Sequence, residues 1–164
     1  MEILEAKREH AGVWSCQATN AAGTTEHEMT LDIWTPPTVF IHPEDNVRAV
    51  DSAVMMQCQA TGNPEPSLSW SKDGQPLITS ADGARISMKG ARLDIPRLKP
   101  THVGEYTCTA INEVGTSVAT VHVDVLVPPV ITRDNIEMSP RLPTAQTLTL
   151  LCDVTGKPFP EIHW

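Results

Sequence analysis

Sulfur is the first place to look for chemistry in this chain. The four cysteines, Cys16, Cys58, Cys108 and Cys152, form no CxxC pair, so neither a dithiol redox motif nor a zinc ribbon is spelled out. The six histidines, His10, His27, His42, His102, His122 and His163, lie too far apart for a short-spaced ligand set. The densest polar cluster is His42, Glu44 and Asp45, with Asp51 near. His42 and Glu44 flank Pro43 on what reads as an extended edge segment, so a solvated face is expected there rather than a metal site. No Gly-rich phosphate loop, G-x-S-x-G elbow or HExxH helix occurs, and no cysteine is set for nucleophilic attack. The expectation is a chain that is not an enzyme, has no metal or cofactor, and uses cysteine for structure.

The surroundings of the cysteines repeat. HAGVWSC, residues 10–16, returns as HVGEYTC at 102–108, which sets Cys16 against Cys108 at a period of 92. Ala18 with Ala110, Asn20 with Asn112, Gly23 with Gly115 and Pro36-Pro37 with Pro128-Pro129 keep that period. A second block, CQATGNPEPSLSW at 58–70, returns as CDVTGKPFPEIHW at 152–164, a period of 94. One full period contains one cysteine of each block. Residues 36–127 are therefore read as a complete unit, 1–35 as the back part of another and 128–164 as the front part of a third. On this reading the partner of Cys16 lies before residue 1, and the chain is expected to be a piece of a longer tandem array. A Cys16 to Cys152 bond within one chain is disfavoured. The complete unit would hold the two apart by a strand length of roughly 17 to 20 Å, whereas bonded cysteines need Cα atoms about 4.4 to 6.8 Å apart.

The strands that carry these cysteines show in the alternation of side chains. Val54, Met56, Cys58 and Ala60 alternate with Met55, Gln57 and Gln59, and Leu68 and Trp70 with Ser67, Ser69 and Ser71. Leu93 and Ile95 flank Asp94; Tyr106, Cys108 and Ala110 alternate with Thr107 and Thr109; Ala119, Val121, Val123 and Val125 alternate with Thr120, His122 and Asp124. Turn pairs Asn63-Pro64, Asp73-Gly74, Asp82-Gly83 and Lys89-Gly90 separate these runs. Short alternating strands without helical periodicity predict an all-β, two-sheet antiparallel sandwich. Cys58 and Cys108 would both point inward from different strands. A bond between them would join the sheets beside Trp70 and contribute about 4 kcal/mol by closing a loop of about 50 residues.

Cys58, Trp70, Leu93 and the run Gly104-x-Tyr106-x-Cys108, followed by Ala110, Asn112 and Gly115, resemble an immunoglobulin domain of the intermediate (I) set. The resemblance extends over the complete unit and both partial ones. It implies strands A, B, E and D facing C, F and G, and a tyrosine corner in which the Tyr106 hydroxyl bonds nearby backbone. Two departures bear on that expectation. His10 and His102 stand where the family has an acidic residue two positions before the corner glycine, which puts the acid's salt bridge in doubt. Trp14 takes the place of the corner tyrosine in the first unit, where an indole N–H is expected not to reproduce the phenol's bond and the corner to rearrange.

A net charge of −8 argues against phosphate backbones and anionic membranes as partners, so no nucleic acid is expected. No apolar run is long enough to cross a bilayer, so no direct membrane insertion is expected of this segment. The double prolines of IWTPPTV and LVPPVI act as stiff spacers and predict a semi-rigid rod of units. The wording GNPEPSLSWSKDGQPL and GEYTCTAINEVG is similar to the long extracellular arrays of the hemicentin kind, which implies a secreted matrix or cell-surface setting and protein partners in cell–matrix or cell–cell adhesion. The alternative is an intracellular muscle array of the titin and twitchin kind; retained cysteines favour the oxidising compartment. The expected binding face comprises the outward hydroxyls Ser67, Ser69, Ser71, Thr107 and Thr109, a face without Lys or Glu to discourage sheet pairing. No N-x-[ST] sequon occurs at any asparagine, from Asn20 to Asn135.

Overall fold

A computed structural model describes residues 1–77, 83–132, 144, 147 and 150–164. Asp82 of one expected turn and Asn135 lie outside the described residues. The alternating runs become strands: β1 (Gly12–Asn20), β2 (Gly23–Leu31), β3 (Thr35–His42), β4 (Asn46–Ala49), β5 (Val54–Asn63), β6 (Ser67–Lys72), β7 (Gln75–Pro76), β8 (Arg85–Ser87), β9 (Arg92–Ile95), β10 (Gly104–Ile111), β11 (Thr116–Thr132) and β12 (Asp153–Lys157).

Two sheets make the central sandwich. One has the order β3-β5-β9-β8. In the other, β11 pairs β10, β10 pairs β6 and β6 pairs β7, all antiparallel, while β4 runs parallel to β11. The expected three-strand C, F, G layer thus gains β4 at one edge and β7 at the other. Every inward residue of the alternation is buried or half-buried. The core gathers Ile41, Val54, Met56, Trp70, Leu93, Ile95, Leu98, Tyr106, Val121, Val123 and Val125 around the two cysteines. Cys58 and Cys108 are bonded, Cα to Cα 6.3 Å, and Trp70 sits directly opposite Cys108 on the neighbouring strand. The Trp70 indole is fixed by its N–H to Gly90 O at 2.7 Å.

The hairpin β1–β2 and strand β12 lie on either side of this sandwich. Hairpin β1–β2 has the register of β10–β11 one period away: Cys16 faces His27 as Cys108 faces Ala119. Strand β12 pairs with the far end of β11, on both sides of Pro128-Pro129, as β5 pairs with β3. Strand β11 is continuous through the double proline, so no unstructured residue separates the sandwich from the pairing with β12.

Candidate functional site

The corners before β1 and β10 decide how rigidly the hairpins are presented. Ahead of each strand a single 3-10 turn forms, at Arg8–His10 and Pro100–His102. His102 Nδ1 accepts the backbone N–H of Lys99 at 2.9 Å, and His10 Nδ1 accepts that of Lys7 at 2.9 Å. Histidine therefore satisfies an otherwise unpaired turn donor by acceptance, without an ion pair. His102 Nε2 is buried without a hydrogen-bond partner among the described residues. The Tyr106 hydroxyl donates to His102 O at 3.0 Å, which is the tyrosine corner.

The expectation for Trp14 is overturned. Its indole N–H donates to His10 O at 2.8 Å, the same bond to the carbonyl four residues back, and the turn before it is unchanged. A phenol O–H and an indole N–H are both single donors at the rim of a flat ring. Reach to that carbonyl, rather than the identity of the donor, is what the corner requires.

The outward residues of β6, β10 and β11 share one sheet face. Ser71 lies opposite Thr107 and Ser69 opposite Thr109, so four of the five expected face residues meet in two cross-strand pairs. Ser67 lies opposite Ile111 and donates to its carbonyl at 3.2 Å. Strand β11 extends the face with Thr120 opposite Thr107 and Val118 opposite Thr109. The hydroxyls of Thr107 and Thr120 are 2.9 Å apart. Val118 is 61% exposed and Ile111 46% exposed. Sequence reasoning left these two out of the face, although the alternation that sends Thr120 outward also places Val118 there. Charge enters at the far end, where Glu105 lies opposite His122 and Asp124 follows on the same side of β11. The opposite sheet is unlike it: Arg85, Arg92 and Asp94 project outward there, and Arg92 Nε lies 2.8 Å from Asp94.

His42, Glu44 and Asp45 are exposed. His42 makes an edge contact with Phe40 at 5.2 Å, and Asp45 accepts the N–H of Val47. No group of three metal-ligating side chains occurs among the described residues, and no described helix is long and apolar enough to cross a membrane.

Two joints follow one plan. The residue before the cis proline at the end of β5 or β12 reaches back to the aspartate near the end of the preceding hairpin. Asn63 Nδ2 donates to Asp32 Oδ1 at 2.7 Å and to Ile33 O at 2.9 Å. One period on, Lys157 Nζ donates to Asp124 Oδ1. Asn112 Nδ2 closes the first joint by donating to Thr35 O and Pro64 O, both at 2.9 Å. A Cβ on Gly62 would lie 3.2 Å from Pro37 Cα, and one on Gly156 would lie 3.2 Å from Pro129 Cα. The hydrogen bond from Lys157, more than the charge itself, holds the Asp124 carboxyl below the usual aspartate range.

An antiparallel sandwich with an inter-sheet disulfide under a buried tryptophan, a tyrosine corner and a parallel β4–β11 edge defines an immunoglobulin-type domain. The family model for the immunoglobulin I-set domain matches residues 37–125, and the chain belongs to that family. It is 36% identical to hemicentin-1 of Mus musculus over 169 residues, which takes in 100% of this chain and 3% of the hemicentin. Among solved structures, the N-terminal four Ig domains of Dscam1 isoform 7.44 match 73% of the chain and 28% of their own at a TM-score of 0.60 and 26% identity. A chain from a complex of titin M10 with obscurin-like 1 Ig matches 58% of this chain and 99% of its own at a TM-score of 0.53 and 31% identity.

Proposed function

We propose that this chain is a non-catalytic spacer and binding segment of an adhesion or extracellular matrix protein, in which its I-set domains hold protein-binding faces at fixed spacing. The observation that carries the reading is the joint: β11 runs from the sandwich through Pro128-Pro129 into its pairing with β12 without a slack residue. A chain of domains joined this way transmits orientation and length. Similarity to hemicentin-1 along 100% of the chain supports the extracellular setting. On this reading residues 1–35 are the back part and 128–164 the front part of units like 36–127. The repeated corner and joint support that division, as do the free thiols of Cys16 and Cys152.

The titin match favours a second reading, a segment of an intracellular muscle array. The two differ in redox compartment. Intact mass of protein isolated from its native source, with and without reduction after thiol blocking, separates them. A blocked-thiol count that leaves Cys58 and Cys108 unmodified until reduction is the expected result. Free Cys58 and Cys108 in that material would transfer the assignment to the muscle array.

A further inference from the structure

The hairpin β1–β2 repeats β10–β11 position for position, so the chain contains its own comparison for the outer sheet face. Where β1–β2 carries Gln17, Glu26 and Glu28, β10–β11 carries Thr109, Val118 and Thr120. A hairpin of the same register carries acids and amides at these sites, with Ser15 donating to Glu26. The hairpin register therefore does not require the uncharged set. An exposed valine between threonines, where the repeat has two glutamates, is unexplained by folding and points to a surface that meets another one.

We infer that the outer face of β6, β10 and β11 is a homotypic contact face, which takes a second copy of this chain through the same face. The occupant follows from the chemistry. A two-fold contact must be self-complementary, and each Ser or Thr hydroxyl both donates and accepts, so rows of them match their own copies. The face has no charge to select a charged partner, apart from Glu105, His122 and Asp124, the last paired with Lys157, at one end. The chain as a whole carries −8, and the uncharged rows of this face spare two copies a direct like-charge contact there. Val118 and, at the end of β10, Ile111 supply its exposed apolar part. The face is smaller than the roughly 20 to 30 residues a side of a standard interface, so the contact is weak singly and gains from repetition along an array. This rests on reading the chain as part of an adhesion array, and its test is separate from the thiol count that decides that reading.

The experiment is sedimentation equilibrium of the full chain, with Cys16 and Cys152 alkylated, up to about 1 mM, where a millimolar contact becomes populated. Expected is a concentration-dependent rise in mass toward the dimer. Val118→Glu with Thr120→Glu, which installs the first hairpin's residues, should weaken it at least about tenfold through facing like charges. Ser69→Arg with Thr107→Arg should do the same with the opposite charge. Gln57→Glu with Gln59→Glu puts the same negative charge on the other sheet and should leave association unchanged. Three results would overturn the inference: a wild-type chain monomeric throughout, association that survives both face variants, or equal weakening by the control. Circular dichroism of each variant confirms that the sandwich is intact.

Discussion

A methyl group on Gly104 would sit 2.6 Å from both carboxylate oxygens of Asp73, and Gly104 itself has φ +152. That carboxylate is committed: Asp73 Oδ1 accepts the N–H of Glu105 at 2.9 Å, while Asp73 N donates to Glu105 O at 2.9 Å. Gly104→Ala should therefore destabilise the sandwich by about 1 to 3 kcal/mol, read as a lower urea midpoint. The hydrogen bond from Glu105, then that from Lys72, holds the Asp73 carboxyl below its usual range. A depressed folded pKa means stability that is fully present above the ordinary aspartate value and lost as pH falls through the lowered one. Asp73→Asn should accordingly unfold earlier than wild type at neutral pH, with the gap narrowing at a pH below the ordinary aspartate value. Equal gaps at both pH values would remove Asp73 as the cause. Tyr106→Phe deletes the buried bond to His102 O and should cost about 1 kcal/mol in the same assay.

At the scale of elements, β11 and the two joints govern how units are connected. The first joint is an amide–carboxylate contact, Asn63 to Asp32, and the second an ammonium–carboxylate contact, Lys157 to Asp124. Salt screens the second far more than the first, because only the second is an attraction between net charges. Nitroxide labels on the free thiols Cys16 and Cys152 span both joints. The distance distribution between them should broaden as salt rises from about 0.05 to 1 M, where the Debye length shrinks to about 3 Å. Lys157→Asn, which copies the first joint, should remove that salt dependence, and Asp32→Ala should broaden the distribution at every salt concentration. A width indifferent to salt and to Lys157 would show that the prolines alone stiffen the joint.

For the whole molecule, stability leans on the bridge between the sheets. The bond closes a separation of 50 residues. By the loop-entropy model, replacing both Cys58 and Cys108 with alanine should cost about 4 kcal/mol, a large share of the roughly 5 to 15 kcal/mol typical of a domain. Calorimetry of the double variant should show a fall in Tm of tens of degrees, since about 1 kcal/mol shifts a domain of this size by roughly 4 to 8 °C. The bridge links the two layers at their centre, beside Trp70, so its loss opens the core rather than an edge.

The amino-acid sequence by itself determined the two-sheet sandwich, the inward and outward faces, the inward pair Cys58 and Cys108 and the repeat, because each is written in local alternation or in the spacing of like residues; the layer of each strand came from the resemblance to the immunoglobulin family. Val54, Met56 and Cys58 alternate with exposed neighbours whatever else the chain does. Only the tertiary structure decided what meets across distance. NVRA has no alternation to mark it, yet β4 docks parallel to β11 and buries Asn46, whose amide donates to Pro43 O at 2.8 Å. Trp14 takes the place of a tyrosine because its indole reaches the His10 carbonyl. Asp32 finds Asn63 because a taut linker brings the end of one hairpin against the turn of the next unit. Such contacts depend on ångström-scale reach between segments packed by the whole fold, and residue type alone does not encode that reach.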